Sequence, residues 1–306
     1  MSGIVWEQRN CLPTTLHRLL YEVGADFYSV QLSLMHPRLL YGLVLIEPVI
    51  QNVSPAGPNA AMLSSFRTDI WPSRAKAEAS ITKSPFFKTL DPRVIARYLQ
   101  FGLREIPTAI YPISEKANMR PGAVTLTTTK AQEAWSYVRS NFSPLNSDMN
   151  DPKERLISPE LDALEEGTQM FIRPESMLTL YALPQLRPSV LWIYGSRSPI
   201  NRPSLQEEKM RLTGTARGGS GGEKAGKVKK IVIKGAAHLL PFEKVTETAE
   251  IVSTWIMGEL SSYHSDEAFY KAHQSRKSKG GLVLSREWMT GVQLNADAKR
   301  PLKEKL

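Results

Sequence analysis

Three short runs enriched in Val, Ile and Leu punctuate an otherwise mixed chain: Leu43–Ile46, Val190–Tyr194 and Lys229–Ile233, each bounded by Gly or Pro. Runs that stay apolar from one residue to the next, instead of alternating, suit strands covered on both faces, as in parallel sheets. A helix is expected before the first run, where Val30 and Leu34 lead to His36-Pro37. Another is expected after the third, where Val245, Ile251, Val252, Trp255 and Ile256 recur at helical spacing. Leu16, Leu19, Leu20 and Val23 also recur every three or four residues, so a helix is expected there rather than a strand. Strands alternating with helices point to an α/β fold.

Between the first and second runs lie about 140 residues of different character, rich in Pro and aromatics. The spacing predicts helices near Arg74–Ser80, Pro92–Gly102, Ala131–Phe142 and Pro159–Gly167. The stretch is too long for a loop and reads as a helical lid. Its Phe86, Phe87, Tyr98, Leu99, Phe101, Trp135 and Tyr137 could bury one face against the sheet and line a cavity for an apolar ligand. The resulting organisation is a first segment with its core strand (residues 1–50), the lid (51–185), a second core portion (186–262) and a basic tail (263–306).

Composition changes this picture only at the margins. The 306 residues are 42% hydrophobic and 23% charged, a globular balance. No run approaches the roughly 20 apolar residues that a membrane span needs, and the start lacks a signal-peptide pattern. Cys11 is the single cysteine, so no internal disulfide is expected and a reducing compartment is the default. The net charge of +9 is localised: residues 207–234 carry eight Lys/Arg against three Glu, and residues 271–306 carry nine against three acids. Without these two segments the chain is slightly acidic, which argues against a nucleic-acid footprint. The first segment contains TARGGSGGEKAGK and reads as a solvated, flexible loop. No ligand cluster implies a metal or an organic cofactor.

Candidate chemistry centres on the segment KKIVIKGAAHLLPFEK, a strand followed by Gly235, then His238 in a turn, then Pro241 ahead of a helix. A histidine just past the carboxyl end of a parallel strand lies on the rim where open α/β sheets bind ligands, and its imidazole can serve there as a general base. A histidine merely hydrogen-bonded in a turn is the plainer reading.

The segments HPRLLYGLVLIEP, WIYGSRSP and GAAHLLPFEK resemble the α/β-hydrolase superfamily in order and spacing, over about residues 24–260. WPSR (Trp71–Arg74), SPFFKTLDPRVIARYLQFGLRE and the GGSGG loop are most similar to fungal toxin-biosynthesis hydrolases, a branch with peroxisomal members. The resemblance implies a partial α/β-hydrolase parallel sheet with a large helical lid insertion. It also implies hydrolysis of an ester, thioester or related bond of a lipophilic metabolite by a nucleophile, a histidine and an acid. His238 matches the family's histidine. Many members carry Asp after the second core strand, where this chain reads Gly195-Ser196-Arg197-Ser198, and Ser198 cannot act as the acid. Glu47, ending the first core strand, is the better candidate, with a structural carboxylate as its alternative role.

The nucleophile is where the chain departs from the pattern: no G-x-S-x-G stands ahead of His36-Pro37, where the family's elbow falls. The elbow should fall about a dozen residues before His36-Pro37, at Gly24-Ala25-Asp26-Phe27-Tyr28-Ser29. Asp26 is a candidate by analogy with relatives that use Asp in place of Ser, although Tyr28 crowds the turn; Ser29 reads as a helix residue. The resemblance further implies that strands preceding the elbow are missing. That leaves about three strands, with Leu43–Ile46 at an unpaired edge for which Ile4–Trp6 is one substitute. Three outcomes stay open: an inactive truncated product, a non-catalytic module holding an apolar ligand, or an enzyme with a displaced nucleophile. The final Glu304-Lys305-Leu306 shares two residues with the S-K-L peroxisomal address, leaving peroxisome and cytoplasm as expectations.

Overall fold

The computed structural model describes residues 19–23, 26–36, 39–53, 56–57, 59–114, 120–137, 174–275 and 283–294. In chain order the elements are β1 (Leu19–Val23), α1 (Asp26–Met35), β2 (Gly42–Ile46), α2 (Ala60–Phe66), β3 (Ile70–Trp71), α3 (Arg74–Lys83), α4 (Pro92–Phe101), β4 (Leu103–Glu105), β5 (Val124–Leu126) and α5 (Lys130–Tyr137). They continue with α6 (Pro174–Ala182), β6 (Ser189–Gly195), α7 (Pro203–Leu212), β7 (Val228–Ile233), α8 (Leu240–Glu243), α9 (Val245–Ser275) and α10 (Arg286–Leu294). The chain divides into two units, residues 1–256 and 257–306. The first holds both sheets. The second holds the distal part of α9 and α10, so a portion of the expected polar tail is helical.

The core of the first unit is a parallel sheet with strand order β1-β2-β6-β7 among the described residues. Every residue of β2 and β6 is buried. Alternate side chains feed opposite faces: Leu43, Leu45, Val190, Trp192 and Tyr194 join Val30 of α1 and Leu180 of α6, while Val44, Ile46, Leu191 and Ile193 join Val252 and Trp255 of α9. Burial of each such side chain contributes about 2 kcal/mol, which is why continuous apolar runs, and not alternating ones, encode these strands. β7 differs from the expectation of a buried strand. It is an edge, with Val228 and Ile233 buried but Val232 43% exposed, and its Lys229 and Lys230 suit an edge that must not pair with another chain.

Two expectations at the amino end are corrected. Leu19–Val23 form strand β1, not a helix, and β1 pairs in parallel with β2 from Leu19 opposite Gly42 to Val23 opposite Ile46. The sheet therefore has four described strands, not three, and Leu43–Ile46 is an interior strand. A three-to-four spacing over so few residues does not separate helix from strand, and the vacant edge of β2 decides the matter. Ile4–Trp6, Cys11 and Glu304–Leu306 lie outside the described residues.

The insert also departs from a purely helical reading. Its helices α3 and α4 begin at the predicted residues, and α5 begins one residue earlier; the predicted Pro159–Gly167 helix lies outside the described residues. Between them runs a small antiparallel sheet of order β3-β5-β4. Its strands are two or three residues long, too short to leave a periodic signature. Trp71, Ala77, Ile81, Phe87, Leu90, Leu103, Val124 and Leu126 form a core of its own, against which Tyr98 and Leu99 pack. Phe86, Phe101, Trp135 and Tyr137 are exposed. The WPSR motif serves this architecture: the Ser73 hydroxyl accepts from the Lys76 amide and caps α3, and the Arg74 guanidinium donates to the carbonyls of Leu99 and Leu103.

The glycine-rich segment is ordered, against expectation. The amides of Ala216, Gly219, Ser220 and Gly221 donate to the carbonyls of Pro184, Ala216, Leu186 and Gly214. A Cβ on Gly219 would lie 2.5 Å from the Gly214 carbonyl oxygen and 2.6 Å from that of Pro184. Its glycines serve close backbone packing, not flexibility.

Candidate active site

The site forms where three strand ends meet. β2 ends in Glu47, whose φ of 51° makes it the one described non-glycine residue in the left-handed region. Such a conformation costs about 1–2 kcal/mol for a residue with a side chain and persists where surrounding contacts hold it. Those contacts are present: the Glu47 amide donates to the Ile193 carbonyl at 2.9 Å. Its side chain is fully buried. Oε1 accepts from the Gly195 amide at 2.6 Å, and Oε2 accepts from Ser198 Oγ at 2.5 Å and Asn201 Nδ2 at 2.9 Å. This is a satisfied carboxylate whose two oxygens are held by donors from the β6 end and the loop that follows it.

His238 reaches the same carboxylate from β7. Gly235, with φ of 73°, turns the chain after the strand, and its amide donates to Ser196 Oγ. The Ala237 amide donates to Glu243 Oε2 at 2.8 Å, and the Arg197 amide donates to the Ala236 carbonyl. His238 Nδ1 then lies 3.3 Å from Glu47 Oε2, with about a third of the side chain exposed. Gly195 makes the approach possible: a Cβ there would stand 2.5 Å and 2.6 Å from the carbonyl oxygens of Ala236 and Ala237. The insert borders this turn, since Leu239, just before α8, and Phe242, within it, pack on the insert's core and the Asp91 amide donates to the Phe242 carbonyl at 2.8 Å. Arg93 donates to Thr246 Oγ1 at 2.9 Å. The Arg93 guanidinium, hydrogen-bonded to Asp91, holds that carboxyl down at about 2.

The structure thus brings Glu47 and His238 together, although 191 positions separate them. Ser198 is a donor to Glu47 and not an acid. Asp26 is the first residue of α1, separated from the end of β1 by Gly24 and Ala25, so the leading strand that sequence reasoning found missing is present. Ser29 is buried within α1. Among the described residues no serine, threonine or cysteine is hydrogen-bonded to His238, and no group of three or more His, Cys, Asp or Glu could hold a metal. A cavity of about 160 Å³ lined by Ser33, Leu34, Gln185 and Arg187 shares no residue with the site. Sequence reasoning missed Asn201, Lys209 and Glu243. An Asn between a turn and a Pro-led helix, or a Lys within a polar helix, carries no signal of a buried role.

Comparison with known proteins fits this geometry. The chain is 30% identical over 300 residues to the type I acyl-CoA thioesterase mpaH' of Penicillium brevicompactum, covering 92% of this chain and 66% of that protein. It is 24% identical over 227 residues to the abhydrolase domain-containing protein AFT2-1 of Alternaria alternata, covering 74% of this chain and 77% of that one. Among solved structures, the peroxisomal alpha-beta-hydrolase Lpx1 of Saccharomyces cerevisiae superposes with a TM-score of 0.53 at 15% identity, over 85% of this chain and 62% of that chain. No protein-family model matches. The fold is that of the α/β-hydrolases. The chain belongs to a fungal branch of that superfamily, and it spans about two thirds of the length of the thioesterase relatives.

Proposed function

We propose that this protein hydrolyses an ester or thioester of a lipophilic metabolite of fungal secondary metabolism, with His238 as general base and Glu47 as the carboxylate that orients it. The approach of Glu47 Oε2 to His238 Nδ1 at 3.3 Å carries this reading. In the tautomer that donates from Nδ1 to Glu47, Nε2 keeps its lone pair for the proton of an attacking group. The imidazolium so formed lies beside a buried carboxylate, where its charge is stabilised, and Nε2 returns the proton to the departing thiolate or alkoxide. The attacking group is a water deprotonated by Nε2, or the Asp26 carboxylate. In the latter case the Asp26 carboxylate displaces the thiolate or alkoxide to form a mixed anhydride, and water that gives its proton to Nε2 attacks the Asp26 carbonyl carbon, releasing the product acid and restoring the carboxylate. The acyl-CoA thioesterase relatives support an acyl substrate.

The test is release of thiol from medium-chain acyl-CoA, and of nitrophenol from p-nitrophenyl esters, by the full chain. Release that falls to the buffer rate in His238→Ala supports the proposal; equal release in both proteins overturns it. A single turnover in ¹⁸O-water separates the two routes, because direct attack labels the product acid and Asp26 attack labels the protein.

A second reading is favoured by the residues between β1 and α1. Gly24 and Ala25, the two residues of the sequence between β1 and α1, carry no attacking side chain, whereas this fold places its nucleophile between a strand and a helix. A non-catalytic module would bind an acyl ligand without turnover and without labelling by a fluorophosphonate.

A further inference from the structure

Behind the Glu47–His238 pair lies a lysine for which the hydrolytic reading has no use. Lys209, in α7, is 1% exposed, and its Nζ donates to Asn201 Oδ1 at 2.9 Å and to the Ile50 carbonyl at 3.1 Å. The same Nζ stands 5.8 Å from the centre of the Tyr194 ring. Asn201 is as buried as Lys209, and its Nδ2 donates to Glu47 Oε2, the oxygen that faces the imidazole. One amide therefore joins a buried cation to the carboxylate of the site.

A lysine withdrawn from water is costly, and methionine would fill the same space without that cost. What lysine does that methionine cannot is set the polarity of Asn201. An ammonium only donates, whereas a carboxamide can turn either its oxygen or its nitrogen toward a neighbour. Facing Lys209, Asn201 must present Oδ1 to the ammonium, and Nδ2 is then aimed at Glu47. Turned the other way, the amide would place an oxygen against Glu47 Oε2 and push that oxygen off the line to His238. The ammonium charge beside Oδ1 also polarises the amide and strengthens its Nδ2–H as a donor.

We propose that Lys209, acting through Asn201, is a positioning residue that fixes the direction of the Glu47 carboxylate and so the orientation and tautomer of His238. This rests on the assignment of His238 as the base, but it is read out without catalysis. The experiment is proton NMR of the full chain labelled with ¹⁵N-histidine. Wild type is expected to show a downfield Nδ1–H resonance that is absent from His238→Ala and Glu47→Gln. Lys209→Met is expected to lose that resonance with folding cooperativity intact. Lys209→Arg, which restores a cation, is expected to recover part of it.

Should Lys209→Met fail to fold, the double variant Lys209→Met/Asn201→Leu removes both polar groups together and leaves no buried cation or amide unpaired. Loss of the resonance there supports the proposal. A wild-type resonance in either folded variant overturns it. Where the wild type hydrolyses acyl-CoA, Lys209→Met is expected to lower kcat about tenfold or more with KM unchanged, since the lysine does not touch the substrate; an unchanged kcat counts against the proposal. An absence of hydrolysis by wild type would remove the function proposed above and leave the resonance as the test of this one.

Discussion

Glu47 Oε2 faces His238 Nδ1 at 3.3 Å while the same oxygen accepts from Ser198 and Asn201, and about a third of the imidazole side chain is exposed while that of Glu47 is fully buried. Glu47→Gln keeps the shape and the Oε1 contact with Gly195, but turns a pure acceptor into a group that also donates. Its kcat for acyl-CoA is expected to fall by about 10³-fold or more, with His238→Ala at least as severe. Steady-state kinetics with circular dichroism checks this, and a folded Glu47→Gln of wild-type rate contradicts it.

Gly195→Ala tests the close approach between the end of β6 and the histidine turn. The new methyl meets two backbone carbonyls, neither of which can rotate away as a side-chain tip could. A loss of about 1–3 kcal/mol is expected in urea unfolding, together with a drop in hydrolysis from displacement of His238.

The ordered glycine-rich segment predicts resistance to protease. Arg217 lies among amides bonded to Pro184, Leu186 and Gly214, so trypsin is expected to spare it in the native protein. Gly219→Ala, whose methyl would press on two carbonyl oxygens, is expected to open the site to cleavage. Rapid native cleavage at Arg217 would show that the segment is loose.

Acid should weaken the contact between the insert and the histidine turn. Asp91 is hydrogen-bonded by the Arg93 side chain and amide, which lowers its carboxyl from 3.8 to about 2. A carboxyl lowered on folding stabilises the protein at pH above its unfolded value, and that contribution fades as pH falls through about 2. The stability gap between wild type and Asp91→Asn is therefore expected to be full above about pH 4 and to close below pH 2. Thermal melts across that range measure it, and a gap that persists at the acid end rules out the linkage.

The legible parts of this molecule were those in which one physical cause dominated. β2 and β6 are apolar throughout because both faces are covered, and His238 was found because a Gly-led turn after a strand is local. Glu47 could be nominated by its place at a strand end, but its partner Asn201, and Lys209 bonded to that amide, come from a loop and a helix more than 150 residues away. No local pattern encodes that meeting. β1 was misread because its residues suit either state until β2 supplies a neighbour. The glycine segment was misread because composition alone does not distinguish a chain free to move from backbones packed too tightly for a methyl.

Glu47 follows β2 and His238 follows β7, with β6 lying between the two strands. No hairpin or single helix–strand unit contains both, so their contact cannot form before β6 and β7 have both joined β2. The pair is thereby tied to closure of the layer, and a protein that has lost β7 from the sheet should lose the Glu47–His238 contact before it loses its helices.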